Sequence, residues 1–210
     1  IIADLKKAET LLTGTDPLRF DFPISTVEEN KMEGDRFLVY RHKRMNLYAV
    51  KAMLARVHLY AGNYTEAAKY AREVIDSKQF ELSGNANDIQ RSKEIIFSVY
   101  IDKFDQVVDN MMTVTTYTID NDVFNEIFDV ANDGTNDFRV REGVSFENAT
   151  SGKRMLKYKQ ENVWPSLQNT VVLIRPSEMY YILAECAGTP EEASGYLNSV
   201  REMRGIDPVN

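Results

Sequence analysis

Apolar positions recur at helical spacing over three stretches of this chain and lose that spacing between them. From Asn46 to Asp76 the pattern is strongest: Leu47, Val50, Met53, Leu54, Val57 and Ala61 form one stripe, as an amphipathic helix requires. Ala49, Ala52 and Ala55 are small enough to let a neighbouring helix come close. The pattern breaks at Ala61-Gly62-Asn63 and resumes with Ala67, Ala68, Ala71, Val74 and Ile75 facing inward. So short a connection makes the two helices antiparallel neighbours, an αα-hairpin. The opening segment also reads as helix, with Ile1, Leu5, Ala8 and Leu12 on one face and no capping residue ahead of them. A helix already under way at the first residue implies a sequence cut from something longer.

The hairpin recurs near the other end. Glu178 to Ala187 reads as a helix, Gly188-Thr189-Pro190 as the turn, and Glu191 to Arg204 as a second helix, stopped by Gly205. The two units align position by position: Ala61 with Ala187, Glu66 with Glu192, Val74 with Val200. A Gly-x-x-x-Glu-Ala turn between small-residue helices is the pattern of a tetratricopeptide-type repeat. The fold class is therefore mainly α: helical hairpins over about 46–76 and 176–204, with a loop-rich insertion over about 80–170 able to hold short strands, all within a single domain of residues 1–210.

Inside the insertion the periodicity changes. Glu94 to Ile101 is a β-prone or buried apolar run, and Thr113 to Ile119 is β-branched and alternates, as a strand or an extended loop. Asn121 to Phe128 fits a short helix, with Asp122 near its start and Val123, Ile127 and Phe128 buried. Between Asp129 and Asn169 come turn signals, charges and the only tryptophan, Trp164, followed by Pro165. Loops on a rigid scaffold are where binding residues concentrate.

Composition narrows the function classes. The 210 residues are 43% hydrophobic and 27% charged, ordinary for a globular chain, and a chain this long buries a core without disulfide or metal staples. A formal net charge of -7 argues against nucleic acid, whose binders place cations on phosphates. The single cysteine, Cys186, excludes an intramolecular disulfide framework and a cysteine-rich zinc site. Its place mid-helix, on a face that packs, suits an inert buried thiol. No basic leader followed by an apolar run and no apolar stretch of membrane-spanning length occurs.

Candidate chemistry is sparse. Asp129, Asp133 and Asp137 stand at positions 1, 5 and 9 of a calcium-type loop with Gly134 at position 6, but Ala131 and Val140 replace a middle ligand and the bidentate glutamate. A solvated Asn/Asp turn is the better reading, and no metal or cofactor is expected. His42 and His58 have no partner at metal-ligand spacing, and His58, on the first repeat helix, reads as structural. No phosphate loop, dinucleotide fingerprint or nucleophile elbow is present, and the 32 acids carry no acid/base signature of their own. The run Arg41-His42-Lys43-Arg44 reads as a solvated face or a source of intramolecular ion pairs. Aromatics are the more informative supply. Tyr100, Phe104, Tyr117, Tyr158 and Trp164 fall in the insertion, and flat rings with a polar edge suit sugar rings or extended peptides. Trp164 serves either binding or packing.

Arg44 to Ile75 closely resembles the repeat segment of the SusD/RagB family, outer-membrane nutrient-binding lipoproteins of the starch-binding type. Three further segments agree in order: Glu94 to Ser98, Leu173 to Glu185, and Leu197 to Gly205. Ile2 to Glu9 resembles the helix that precedes the repeat, while 105–170 carries only weak echoes such as Asp137-Phe138-Arg139. The resemblance implies a non-catalytic protein on the cell surface, held to the outer membrane by a lipidated N-terminal cysteine. Such proteins cap a SusC-like TonB-dependent transporter and capture oligosaccharides, or peptides in the RagB branch, for import. The anchor cysteine and the family's C-terminal region have no counterpart here, so the chain reads as a central portion. No ligand residue carries over by motif. Asn46, Tyr64 and Glu178 lie in matched segments and are expected to be structural or to face the transporter. A pure protein-interaction scaffold using the repeat groove is the reading from a different class.

Overall fold

In a computed structural model, which describes residues 1–16, 40–113, 117–132, 134–141, 143–159 and 167–209, helices pack on one another in a chain of neighbours. They are α1 (Ile2–Leu12), α2 (Leu47–Tyr60), α3 (Tyr64–Asp76), α6 (Pro176–Glu185) and α7 (Pro190–Glu202), with α4 (Phe104–Thr113) and α5 (Asn121–Ile127) in the segment between. α1 packs on α2, α2 on α3, α3 on α6 and α6 on α7. The alanines explain the tight seams: Ala49, Ala55, Ala67 and Ala71 are fully buried beside Val50, Leu54 and Met179. Among the described residues no helix is long and apolar enough to cross a membrane.

Side-chain caps set the helix starts. The Asn46 side-chain oxygen accepts from Ala49 N–H at 2.9 Å, and its amide donates to the Ile96 carbonyl at 2.8 Å, so one buried residue starts α2 and ties it to the inserted segment. Asn63 caps α3. Thr189 caps α7, where Pro190 occupies the first turn. Gly62, at φ +73, makes the turn between α2 and α3.

The inserted segment leaves and returns as a pair of antiparallel strands. β1 (Phe97–Tyr100) pairs with β4 (Thr170–Ile174), matching Phe97 to Ile174 and Tyr100 to Thr170 with a register shift after Phe97. This pairing closes the neck of the insertion against the helices. Further out, β2 (Phe146–Ala149) and β3 (Gly152–Met155) form a hairpin. Phe124, Phe128 and Phe146 make a small aromatic core there, with centroids 4.9 to 5.7 Å apart.

Several expectations are corrected. Ile1 precedes α1 and is 81% exposed; Ile2, Leu5, Ala8 and Leu12 are the residues that pack. α5 exists, but Val123 and Ile127 are 47% and 62% exposed, and Phe124 is buried instead. Both pairs lie four residues apart, so either could face inward. The rings of Phe124 and Phe128 bury more apolar area and dock on Phe146. The β-branched run from Thr113 contributes an α4 residue at Thr113 and a single bridge between Ile119 and Lys153; positions 114–116 lie outside the described residues. Cys186 is the C-terminal cap of α6, half-buried, with burial and then Glu185 pushing its thiol pKa up. In the basic run, Arg41 pairs with buried Asp16 at 3.2 Å, and His42 is fully buried. His58 is buried and stacks on Tyr70 at 5.8 Å.

Candidate ligand-binding site

The inserted segment meets the second hairpin around a buried ion pair. Glu94 ends a 3-10 turn (Ser92–Glu94) and is fully buried; both its oxygens accept from the Arg204 guanidinium at 2.7 Å, and one also accepts from Ser83 N–H at 2.8 Å. Arg204 lies just beyond Met203, the C-terminal cap of α7, and its carbonyl accepts from Phe138 N–H at 2.7 Å. Next in the chain, Gly205 takes φ +77, and a Cβ there would sit 2.6 Å from the Asn136 carbonyl oxygen. Only glycine lets the two segments approach so closely.

Two more guanidiniums share this corner. Arg91 donates to the Ser83 carbonyl at 3.1 Å, the same oxygen that Arg204 reaches at 3.1 Å. Arg175, between β4 and α6, donates to the Gln90 carbonyl at 2.9 Å. Burial lowers the pKa of both, Arg91 to about 10, with Arg204 adding repulsion and Glu94 partly offsetting it. Glu178, expected to be structural or transporter-facing, joins the hairpins: it takes both ends of the Arg56 guanidinium at 2.6 and 2.7 Å. Tyr64 is exposed at the start of α3.

Beside the corner lies a cavity of about 290 Å³. One wall is apolar, from Phe128, Phe146 and Met155; Tyr181 of α6 forms another. Its cations are Arg91, Arg139, Lys157, Arg175 and Arg204, and among the described residues no carboxylate, histidine or cysteine lines it. Arg139 is held by Asp137, a hydrogen bond that raises its pKa. Chemically the cavity can grip a negative group against flat rings, and it offers no nucleophile paired with a base.

The residues expected from sequence lie elsewhere. Tyr100, 52% exposed on β1, has the Lys43 ammonium 5.3 Å from its ring, and burial lowers the pKa of that lysine. Phe104 meets Tyr158 edge-on at 5.5 Å. Tyr117 is 60% exposed. None of these four lines the cavity. Trp164 and Asp133 lie outside the described residues. Of the other loop acids, Asp129 accepts from Asn132 at 2.7 Å, and Asp137 is buried against Arg139. Gly134 closes the turn, with no room for a Cβ beside the Phe128 carbonyl. Among the described residues no three metal-ligating side chains cluster. The arginine corner escapes sequence reading because its members are scattered from position 91 to 204. Its one signal is a charge beside an apolar run, at Glu94 before Ile95-Ile96 and at Arg175 after Ile174.

No family model matches the chain, and no curated protein does. Solved structures do. A SusD-like carbohydrate binding protein from Bacteroides vulgatus superposes with a TM-score of 0.61 at 17% identity, over 100% of this chain and 43% of that one. The fold is SusD-like. A SusD superfamily protein from Bacteroides thetaiotaomicron gives 0.65 at 16% identity, over 100% of this chain and 49% of that one. A SusD-like protein from Bacteroides fragilis gives 0.62 at 20%, over 100% and 52%. The chain thus spans about half the length of the SusD-like structures it matches. The cavity belongs to a SusD-like scaffold in which α6, with Arg175 before it and Arg204 beyond α7, forms one boundary and the inserted segment the other.

Proposed function

We propose that this chain is part of a SusD/RagB-family protein that captures glycans at the cell surface without chemistry and delivers them to a SusC-like TonB-dependent transporter. The observation that carries the reading is the SusD-like fold along the whole chain, one of whose matches is a SusD-like carbohydrate binding protein. The cavity supports a binding reading through the charge and rings that line it. The whole protein acts at the outer membrane on an N-terminal lipid anchor, with residues 1–210 as one helical domain. Tyr100, Phe104, Tyr117, Tyr158 and Trp164 supply the stacking faces. Exposed Tyr100 and Tyr117 are the strongest of these, because their removal leaves the core intact.

Affinity electrophoresis and calorimetry against a panel of polysaccharides and peptides test the proposal. A glycan is expected to bind, and Tyr100→Ala to weaken it by about three- to tenfold, the worth of one ring contact. Binding to peptides alone would move the chain to the RagB-type reading. Stable association with a transporter barrel, with no soluble ligand at all, would leave a scaffold.

A further inference from the structure

On the strength of the glycan-binding reading, we propose that the cavity between the inserted segment and α6 is a subsite for an anionic sugar, one bearing a carboxylate or a sulfate ester. In a chain of net charge -7, the described lining of the cavity gathers five cations and no carboxylate. The two carboxylates nearest are committed: Glu94 to Arg204 and Asp137 to Arg139. Asp88, whose field reaches Arg91 and Arg175, accepts from the Ser92 backbone and hydroxyl at 2.7 and 2.8 Å. Among the described residues, Arg91, Arg175 and Lys157 have no carboxylate within ion-pair distance.

Their donors are placed for use. Arg91 and Arg175 each spend one terminal nitrogen on a backbone carbonyl, which fixes the guanidinium plane. The remaining nitrogens of each fork have no acceptor among the described residues, yet none is sealed from solvent. Guanidinium forks match the paired oxygens of carboxylates and sulfate esters. Ser177 in the first turn of α6 adds the positive end of a helix that has no side-chain cap. Tyr181, 48% exposed, offers the C–H face of a sugar ring a flat partner, with the edges of the Phe128–Phe146 cluster beside it. At about 290 Å³ the space is at the small end of ligand sites, which favours one sugar residue over a length of peptide. An anion there also relieves the repulsion that helps to hold Arg91 low.

The test is calorimetry on the intact chain at low and at physiological salt. The probes are an oligogalacturonate, a sulfated oligosaccharide, a neutral oligosaccharide of equal length and a glutamate-rich peptide. One acidic sugar is expected to bind at least about tenfold more tightly than the neutral one, with the gap narrowing as salt rises. Preference for the uronate or for the sulfate identifies the anionic group. Lys157→Gln, at the exposed rim, is expected to weaken acidic binding about threefold, and Arg175→Lys about tenfold, with neutral binding unchanged. Circular dichroism checks the fold of each variant, and Lys157→Gln decides alone if Arg175→Lys misfolds. Equal affinity for neutral and acidic sugars, or acidic binding untouched by the deciding variants, overturns the subsite while glycan capture stands. Binding of the peptide but of no sugar overturns both.

Discussion

Replacing Glu94 by glutamine removes one charge and almost no volume from the most buried ionic contact described. Glu94 accepts three hydrogen bonds, two at 2.7 Å from Arg204 and one at 2.8 Å from Ser83, with side-chain exposures of 0% and 7% for the pair. Without the carboxylate, Arg204 becomes a buried cation beside Arg91 and Arg175, and the more distant field of Asp88 is left to offset their mutual repulsion. Stranding one member of a buried pair costs about 3–5 kcal/mol. The converse change, Arg204→Met, is milder. It leaves Glu94 the Ser83 N–H, and Arg91 and Arg175 already feel its field. That loss is about 1–3 kcal/mol. Urea unfolding followed by far-UV circular dichroism measures both. With a slope of about 2 kcal/mol per molar urea, Glu94→Gln lowers the midpoint by about 1.5–2.5 M and Arg204→Met by about 0.5–1.5 M. Equal losses, or a larger one for Arg204→Met, would refute the idea that one carboxylate serves three guanidiniums.

Asn46→Ala removes the α2 cap and leaves the buried Ile96 carbonyl without its donor. The expected loss is about 2–4 kcal/mol, against about 1 kcal/mol for Asn63→Ala, where only a cap is lost; urea titration separates them. Gly205→Ala puts a Cβ 2.6 Å from the Asn136 oxygen at φ +77. It is expected to cost at least about 2 kcal/mol and to raise amide exchange at Phe138, whose N–H bonds to the Arg204 carbonyl. The Tyr70 pKa is pushed up to about 12 by burial first and then by Glu9, to which its hydroxyl donates at 3.2 Å. Between pH 10 and 12 the unfolded chain has lost this proton while the folded one keeps it, so its contribution to stability is full below pH 10 and is lost as pH rises through 12. Tyrosinate absorbance should show one fewer late-titrating ring in Tyr70→Phe than in the parent, where burial also raises the Tyr180 pKa.

What could be read in the sequence was local, and what could not was a matter of which distant pieces meet. Asn46, Asn63 and Thr189 announce helix starts, and the alanines of α2 and α3 announce a close seam, because both effects act within a few residues. The inward face of α5 was not legible, since Val123/Ile127 and Phe124/Phe128 have the same spacing and only contact with Phe146 chooses between them. The stacking residues show the same division. Tyr100 and Tyr117 could be placed in the insertion, but their exposure depends on where β1 and the Ile119 bridge carry them.

The cation cavity depends on the same long-range meeting, and its geometry follows from how the insertion is anchored. Pairing of β1 with β4 brings Glu94 and Arg175 to adjacent ends of one two-stranded sheet. Arg204 then arrives from α7, whose partner α6 is clamped to the first hairpin through Glu178 and Arg56. Ser83 and Gln90 give up backbone carbonyls to hold the guanidiniums in place. Loops can therefore present positioned charge here without being regular themselves, because each fork is fixed by backbone whose position the helices and the sheet determine. Fixed donors cost little to order when a ligand arrives. It follows that loosening the anchor should damage binding before it unfolds the chain. Val171→Pro, opposite Val99 within β4 and in step with the Ile101 N–H bond to the Asn169 carbonyl, removes a ladder donor without touching the cavity lining. It is expected to weaken any anionic ligand more than a neutral one. A variant that retained full discrimination with β1 and β4 unpaired would mean that the forks are held by their local carbonyls alone.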